Sequence, residues 1–116
     1  MLLADAVPGS AIVARTGGEE FVVLLPDTAL STALLVASLA RSRLAEADLG
    51  DLPTFTFSAG VAQRQAGESF IALKRRADLA TYRAKAAGRD RVEAEPSRDM
   101  ALHSASVVRL DAARQR

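Results

Sequence analysis

The sequence predicts an α/β domain, an α+β sandwich with a mostly antiparallel sheet and the element order β-β-α-β-α-β. Three observations carry this. Two apolar runs, Ala11–Ala14 and Phe21–Leu25, flank the Gly17-Gly18 pair, which is the pattern of a β-hairpin. Two longer segments repeat apolar residues at helical spacing. Short β-prone pieces follow each of those segments.

In chain order, Met1–Val7 reads as the last turn of a helix and Pro8-Gly9-Ser10 as a turn. The unbroken run Phe21–Leu25 is the pattern of a strand buried on both faces. Pro26 ends it, and Asp27 or Thr28 is placed to cap the helix that follows. Leu30, Leu34, Ala37, Arg41 and Leu44 form that helix's stripe, widened by Ala33 and Ala40, and the helix runs to about Asp48. Thr54–Ala62 is the next strand, and Gly60 inside it signals a bulge or the close approach of other backbone. A second helix begins at Glu68 or Ser69 and runs to about Ala87. Phe70, Leu73, Ala77, Ala80 and Ala84 form its buried stripe, with Ile71 and Tyr82 at the margins and Gly88 at C′. Arg91–Glu93 is a short last strand. Residues 1–95 thus form the domain, and 96–116 read as a mobile tail with weak helix around Val107–Ala113.

Composition excludes several classes. The chain has 116 residues, enough for one small domain, and ordinary shares of hydrophobic (49%) and charged (25%) residues. A net charge of +1 is no footprint for nucleic acid. Without cysteine there is no disulfide and no thiolate metal site, which suits a cytoplasmic location. His103 is the only histidine and lies in the unpatterned tail, so neither a zinc site nor a Cys-His mechanism has support. No apolar stretch reaches the roughly 20 residues of a membrane span, and no signal peptide is read at the N-terminus.

Three segments together resemble one family. Ala14-Arg15-Thr16-Gly17-Gly18-Glu19-Glu20-Phe21 with the strand after it resembles the signature hairpin of GGDEF domains. Phe55-Thr56-Phe57-Ser58-Ala59-Gly60-Val61-Ala62 resembles their following core strand. Ala77–Val92 resembles their last helix and its exit. The resemblance covers about Ala4 to Ala94 and implies the C-terminal part of a truncated nucleotide-cyclase, palm-like GGDEF fold. It also implies diguanylate cyclase chemistry, in which two facing domains condense two GTP molecules into cyclic di-GMP with Mg²⁺ or Mn²⁺ on the phosphates.

On that resemblance Glu19 is the catalytic carboxylate and a metal ligand, and Glu20 is a second metal ligand. Such hard oxygen donors suit Mg²⁺. Gly17 and Gly18 let the backbone approach the nucleotide without a Cβ between them. Lys85 and Arg89, four positions apart on one helix face, bind phosphate. Asp78 reads as structural, bonding back to the hairpin. Without the family, Glu19 is a solvated tip residue, Gly17-Gly18 a plain turn, and Lys85 and Arg89 cations that complement a helix dipole.

What precedes the hairpin in the family is not found: a strand bearing an Asp metal ligand, then a helix pair. That strand lies mid-sheet, between the second hairpin strand and Thr54–Ala62. The reading therefore expects two unpaired inner edges there, which pair with each other, accept another chain or fold poorly. The Arg-x-x-Asp product-inhibition motif is absent too, with Pro8 and Ala11 at its positions. The expected partners are GTP and a second GGDEF domain in a homodimer. The expected function is diguanylate cyclase-type, impaired in this chain alone. The alternative is an inactive GGDEF-derived regulatory or interaction module, or a non-functional remnant.

Overall fold

The structure is a computed structural model that describes residues 10–46, 50, 55–96 and 105–114. The proposed helical turn at Met1–Val7, Pro8 and His103 lie outside the described residues. Five strands and two helices follow in the order β1 (Ile12–Arg15), β2 (Glu20–Leu25), α1 (Leu30–Glu46), β3 (Phe55–Gln63), α2 (Phe70–Ala86), β4 (Arg91–Glu95) and β5 (Ser106–Arg114). The sheet order is β1-β2-β5-β3-β4. Only the β3–β4 pair is parallel; β1–β2, β2–β5 and β5–β3 are antiparallel.

The α/β class and the hairpin stand, but the tail does not. Residues 106–114, read as mobile with weak helix, form the middle strand of the sheet. β5 pairs with β2 from Glu20↔Asp111 to Leu25↔Ser106, and with β3 from Phe55↔Arg114 to Gln63↔Ser106. The two inner edges expected to lie open are thus both satisfied by the chain's own last strand. The physical reason is compositional. Val107 and Val108 are β-branched, and Val108, Leu110 and Ala112 alternate with Arg109 and Asp111 in the two-residue period of a pleated strand.

That alternation sorts the sheet into two faces. Under α1 lie Val23, Leu25, Phe57, Ala59, Val61, Val108 and Leu110, packed with Ala33, Ala37 and Ala40 of the helix. Under α2 lie Val22, Ala62 and Val107 with Leu73 and Ala77. Burying a side chain such as Leu25 or Leu73 is worth about 2 kcal/mol; both are 2% exposed or less. The predicted stripe of α2 holds at Leu73, Ala77, Ala80 and Ala84. Phe70, at the first helical position, is instead 51% exposed.

The helix ends are held by specific groups. Ser69 Oγ accepts the Ala72 N–H at 3.1 Å and caps α2 as expected. Neither residue proposed to cap α1 does so. Thr28 Oγ1 donates to Pro26 O (2.8 Å), and Asp27 takes a left-handed φ of 48° in the turn. The free Leu30 N–H is taken by Gln63 Oε1 at 2.9 Å, from a buried residue on β3. Ser106 Oγ, fully buried, donates to Thr28 O at 2.7 Å and ties the start of β5 to the same loop.

Gly60 marks the close approach that the sequence predicts. A Cβ there would stand 2.2 Å from Ala77 O and 2.3 Å from Thr81 N, so the α2 backbone rides directly on β3. Thr81 sits at this crossing, its hydroxyl directed at Ala77 O (2.8 Å) and Arg109 O (3.1 Å). Gly60→Ala is therefore expected to cost about 3 kcal/mol, because backbone rather than a movable side chain blocks the added methyl. Urea unfolding checks this, and a midpoint equal to the parent's would show that α2 does not sit so close.

Candidate functional site

The hairpin tip spans Thr16–Glu19. It is closed by the Thr16 N–H donating to Glu20 O at 3.0 Å. Arg15 folds over it, with Nε donating to Gly17 O (3.1 Å) and Nη2 to Gly18 O (2.7 Å). Neither tip glycine adopts a positive φ. A Cβ at Gly18 would meet nothing within 4 Å, and one at Gly17 would stand 3.2 Å from Glu20 Oε2, a contact that the side chain must yield to. The fold itself therefore does not require glycine at position 18.

Glu19 is exposed, and its carbonyl accepts the Ala112 N–H of β5 at 2.9 Å. Glu20 is paired in register with Asp111, so the two side chains share the sheet face that α2 covers. Arg109, two residues before Asp111, lies on that face as well. Its guanidinium is ion-paired with Glu20, meets Asp111 Oδ2 at 2.8 Å, and places Nε 3.2 Å from Asp78 Oδ1. Lys85, in the last turn of α2, ion-pairs with Asp111. Lys74 holds the far side of Asp78 at 3.2 Å. The cluster joins β2, β5 and α2 through Arg109, whose side chain is only 11% exposed.

Four residues named from the sequence meet around the hairpin and this cluster: Glu19 at the tip, Glu20, Lys85 and Asp78. Asp78 does bond back toward the hairpin, through Arg109 rather than directly. Arg89 does not share a helix face with Lys85. α2 ends at Ala86 with Ala87 as its cap; Gly88 follows at φ 121° and Arg89 at φ 63°, exposed and outside the helix. The four-residue spacing thus has no helical meaning there. Arg109 and Asp111 were missed because they lie in the segment read as tail. The alternation Val108-Arg109-Leu110-Asp111-Ala112 is the signal that marks them.

Among the described residues, no three His, Cys, Asp or Glu side chains converge on a metal position. Glu19 is the exposed carboxylate, whereas Glu20 and Asp111 already face cations. This donor set is short of a cage. It fits Mg²⁺ only where a triphosphate supplies the other oxygens, as that ion commonly binds.

These elements form an α/β domain with a palm-like α+β architecture, and sequence comparison assigns its family. Residues 1–91 match the family described as diguanylate cyclase, GGDEF domain, and the chain belongs to it. The chain is 51% identical over 81 residues to the diguanylate cyclase DgcM of Escherichia coli (strain K12), which is 70% of this chain and 20% of that protein. It is 44% identical over 84 residues to the diguanylate cyclase DgcP of Pseudomonas aeruginosa, covering 70% and 12%. With the response regulator PleD of Caulobacter vibrioides it shares 40% over 96 residues, covering 78% and 21%. The chain spans between about an eighth and a quarter of the length of the curated relatives it matches. β5 lies beyond the residues that match the family. No helix among the described residues is long and apolar enough to cross a membrane.

Asp111 carries a pH dependence. Burial pushes its carboxyl upward, but hydrogen bonds from Lys85 and Arg109, and their charges, outweigh burial and hold it below its ordinary value of 3.8. The folded state therefore releases this proton more readily than the unfolded chain. The stabilisation is complete above the unfolded value and drains away as pH falls through the lower folded one. Chemical denaturation from pH 7 down to pH 2 should show stability falling below about pH 4. Asp111→Asn should be less stable at neutral pH and show a shallower acid limb. A variant whose acid limb matches the parent's would remove Asp111 from this role.

Proposed function

We propose that this domain is a GTP-binding half-site of the diguanylate cyclase type, and that the chain alone binds nucleotide without condensing it. The observation that supports the reading is the hairpin tip. Two glycines stand where no backbone angle calls for them, and at Gly18 no internal contact does either, beside an exposed carboxylate. Leaving out the side chain lets a ligand lie against the backbone. Glu19 and Glu20 would hold the divalent ion, whose chemistry is to neutralise phosphate charge. Lys85 offers an ammonium to the phosphates, at an edge shared with Asp111. Arg89, on the positive-φ turn after α2, is a second cation for the same phosphates only if the turn brings it round.

Condensation asks for more. Each 3′-hydroxyl must meet the α-phosphate of the other nucleotide in line, so two hairpins must face each other, and this chain has one. A second copy in a homodimer would supply the other. The alternative, a regulatory or interaction module without catalysis, is favoured by one contact: Glu20 is ion-paired with Arg109 and is not free for a metal.

Isothermal titration with GTP and Mg²⁺ is expected to show binding, weakened about tenfold by Glu19→Ala and by Lys85→Ala, the loss of one charge-assisted contact each. Chromatography of the same mixtures is expected to show no cyclic di-GMP. Absence of GTP binding would sink the half-site reading. Product that disappears in Glu19→Ala would replace it with an active cyclase.

A further inference from the structure

Two of the groups proposed to hold the ligand are already engaged, and both by β5. We propose that β5 is a built-in competitor for the nucleotide site. The Arg109 guanidinium stands in for a cation at Glu20, and the Asp111 carboxylate stands in for a phosphate at Lys85. This rests on the half-site reading above. It goes beyond that reading in assigning a regulatory task to a strand outside the family-matched segment.

The geometry supports exchange rather than permanent closure. Arg109 and Asp111 are anchored, with side chains 11% and 13% exposed and backbones laddered to both β2 and β3. Their partners in the proposed site are looser, Glu20 at 41% and Lys85 at 32%. Each pair thus has one partly exposed member, and a pair open to solvent on one side is weaker than a fully buried one. Each internal charge also keeps a second partner when its ligand-mimicking pair opens. Arg109 retains Asp78 and Asp111 when Glu20 leaves, and Asp111 retains Arg109 when Lys85 leaves. A ligand therefore strands no buried charge, but it must outcompete the pair that it replaces. The cluster closes on itself as three carboxylates (Glu20, Asp78, Asp111) against three cations (Arg109, Lys85, Lys74), so in its resting form it offers no net charge to a ligand.

The test uses the full 116-residue chain at fixed ionic strength, with inorganic tripolyphosphate followed by calorimetry and Mn²⁺, added in the presence of tripolyphosphate, followed by electron paramagnetic resonance. Asp111→Asn, nearly isosteric, is expected to bind tripolyphosphate about two- to fivefold more tightly, the gain from not displacing one ion pair. Adding Lys85→Ala should abolish that gain. Arg109→Gln should tighten Mn²⁺ by a similar factor, and adding Glu20→Gln should abolish that gain too. Urea melts certify that each variant is folded; if Arg109→Gln is not, the Asp111→Asn arm decides alone. Folded Asp111→Asn that binds tripolyphosphate no tighter than the parent, while parent binding still depends on Lys85, overturns the competition and leaves the half-site standing. If Lys85→Ala changes tripolyphosphate binding in no background, the half-site itself falls and the competition falls with it.

Discussion

Everything in this fold depends on the backbone ladder that β5 makes on both of its edges. Without it, β2 and β3 would each present a row of N–H and C=O groups at the centre of the sheet, in a setting that water enters poorly. With it, five strands form one surface, and each helix finds a continuous apolar face to cover. The same ladder fixes the register Glu20↔Asp111, and so decides which charges meet at the foot of the hairpin. A slip of one residue would turn Arg109 and Asp111 toward α1 and put Val108 and Leu110 among the carboxylates. Register and electrostatics therefore reinforce each other: the apolar alternation selects the pairing, and the ion cluster penalises the slipped one.

Much of this was legible in the residues. The Gly17-Gly18 hairpin, the helical stripes through Ala33–Ala37–Ala40 and Leu73–Ala77–Ala84, the Ser69 cap and the glycine-mediated crossing at Gly60 follow from local pattern and chain stereochemistry. Their determinants lie within a few positions of one another. The failures share a different character. The cap of α1 comes from Gln63, 33 positions away in sequence. The centre of the sheet comes from a segment whose meaning depends on two open edges elsewhere. The helix face expected to hold Lys85 and Arg89 together fails for a narrower reason: α2 ends at Ala86, before the spacing from Lys85 completes a turn.

The charges show the same division. Gly17, Gly18, Glu19 and Glu20 were named from one run of consecutive residues, and Lys85 from the end of α2. Arg109 and Asp111 carry no motif. They matter only because the fold lays them against Glu20 and Lys85, and nothing within the segment Ser106–Arg114 names those partners. Asp78 is intermediate. Its place on α2 was legible, but the arginine through which it reaches the hairpin was not.

The position of β5 also has a consequence for biosynthesis. The hairpin and both helices can form from neighbouring residues as the chain emerges, but the sheet joins into one piece only when Ser106–Arg114 has been made. Pairs such as Leu25↔Ser106 then close a loop of most of the chain. Contacts so distant in sequence slow folding. Until then β2 and β3 remain open strand edges on a nascent chain, the kind of surface that invites pairing between neighbours on a crowded polysome. The strand that joins the sheet is thus also the one whose later synthesis leaves β2 and β3 open to misassembly.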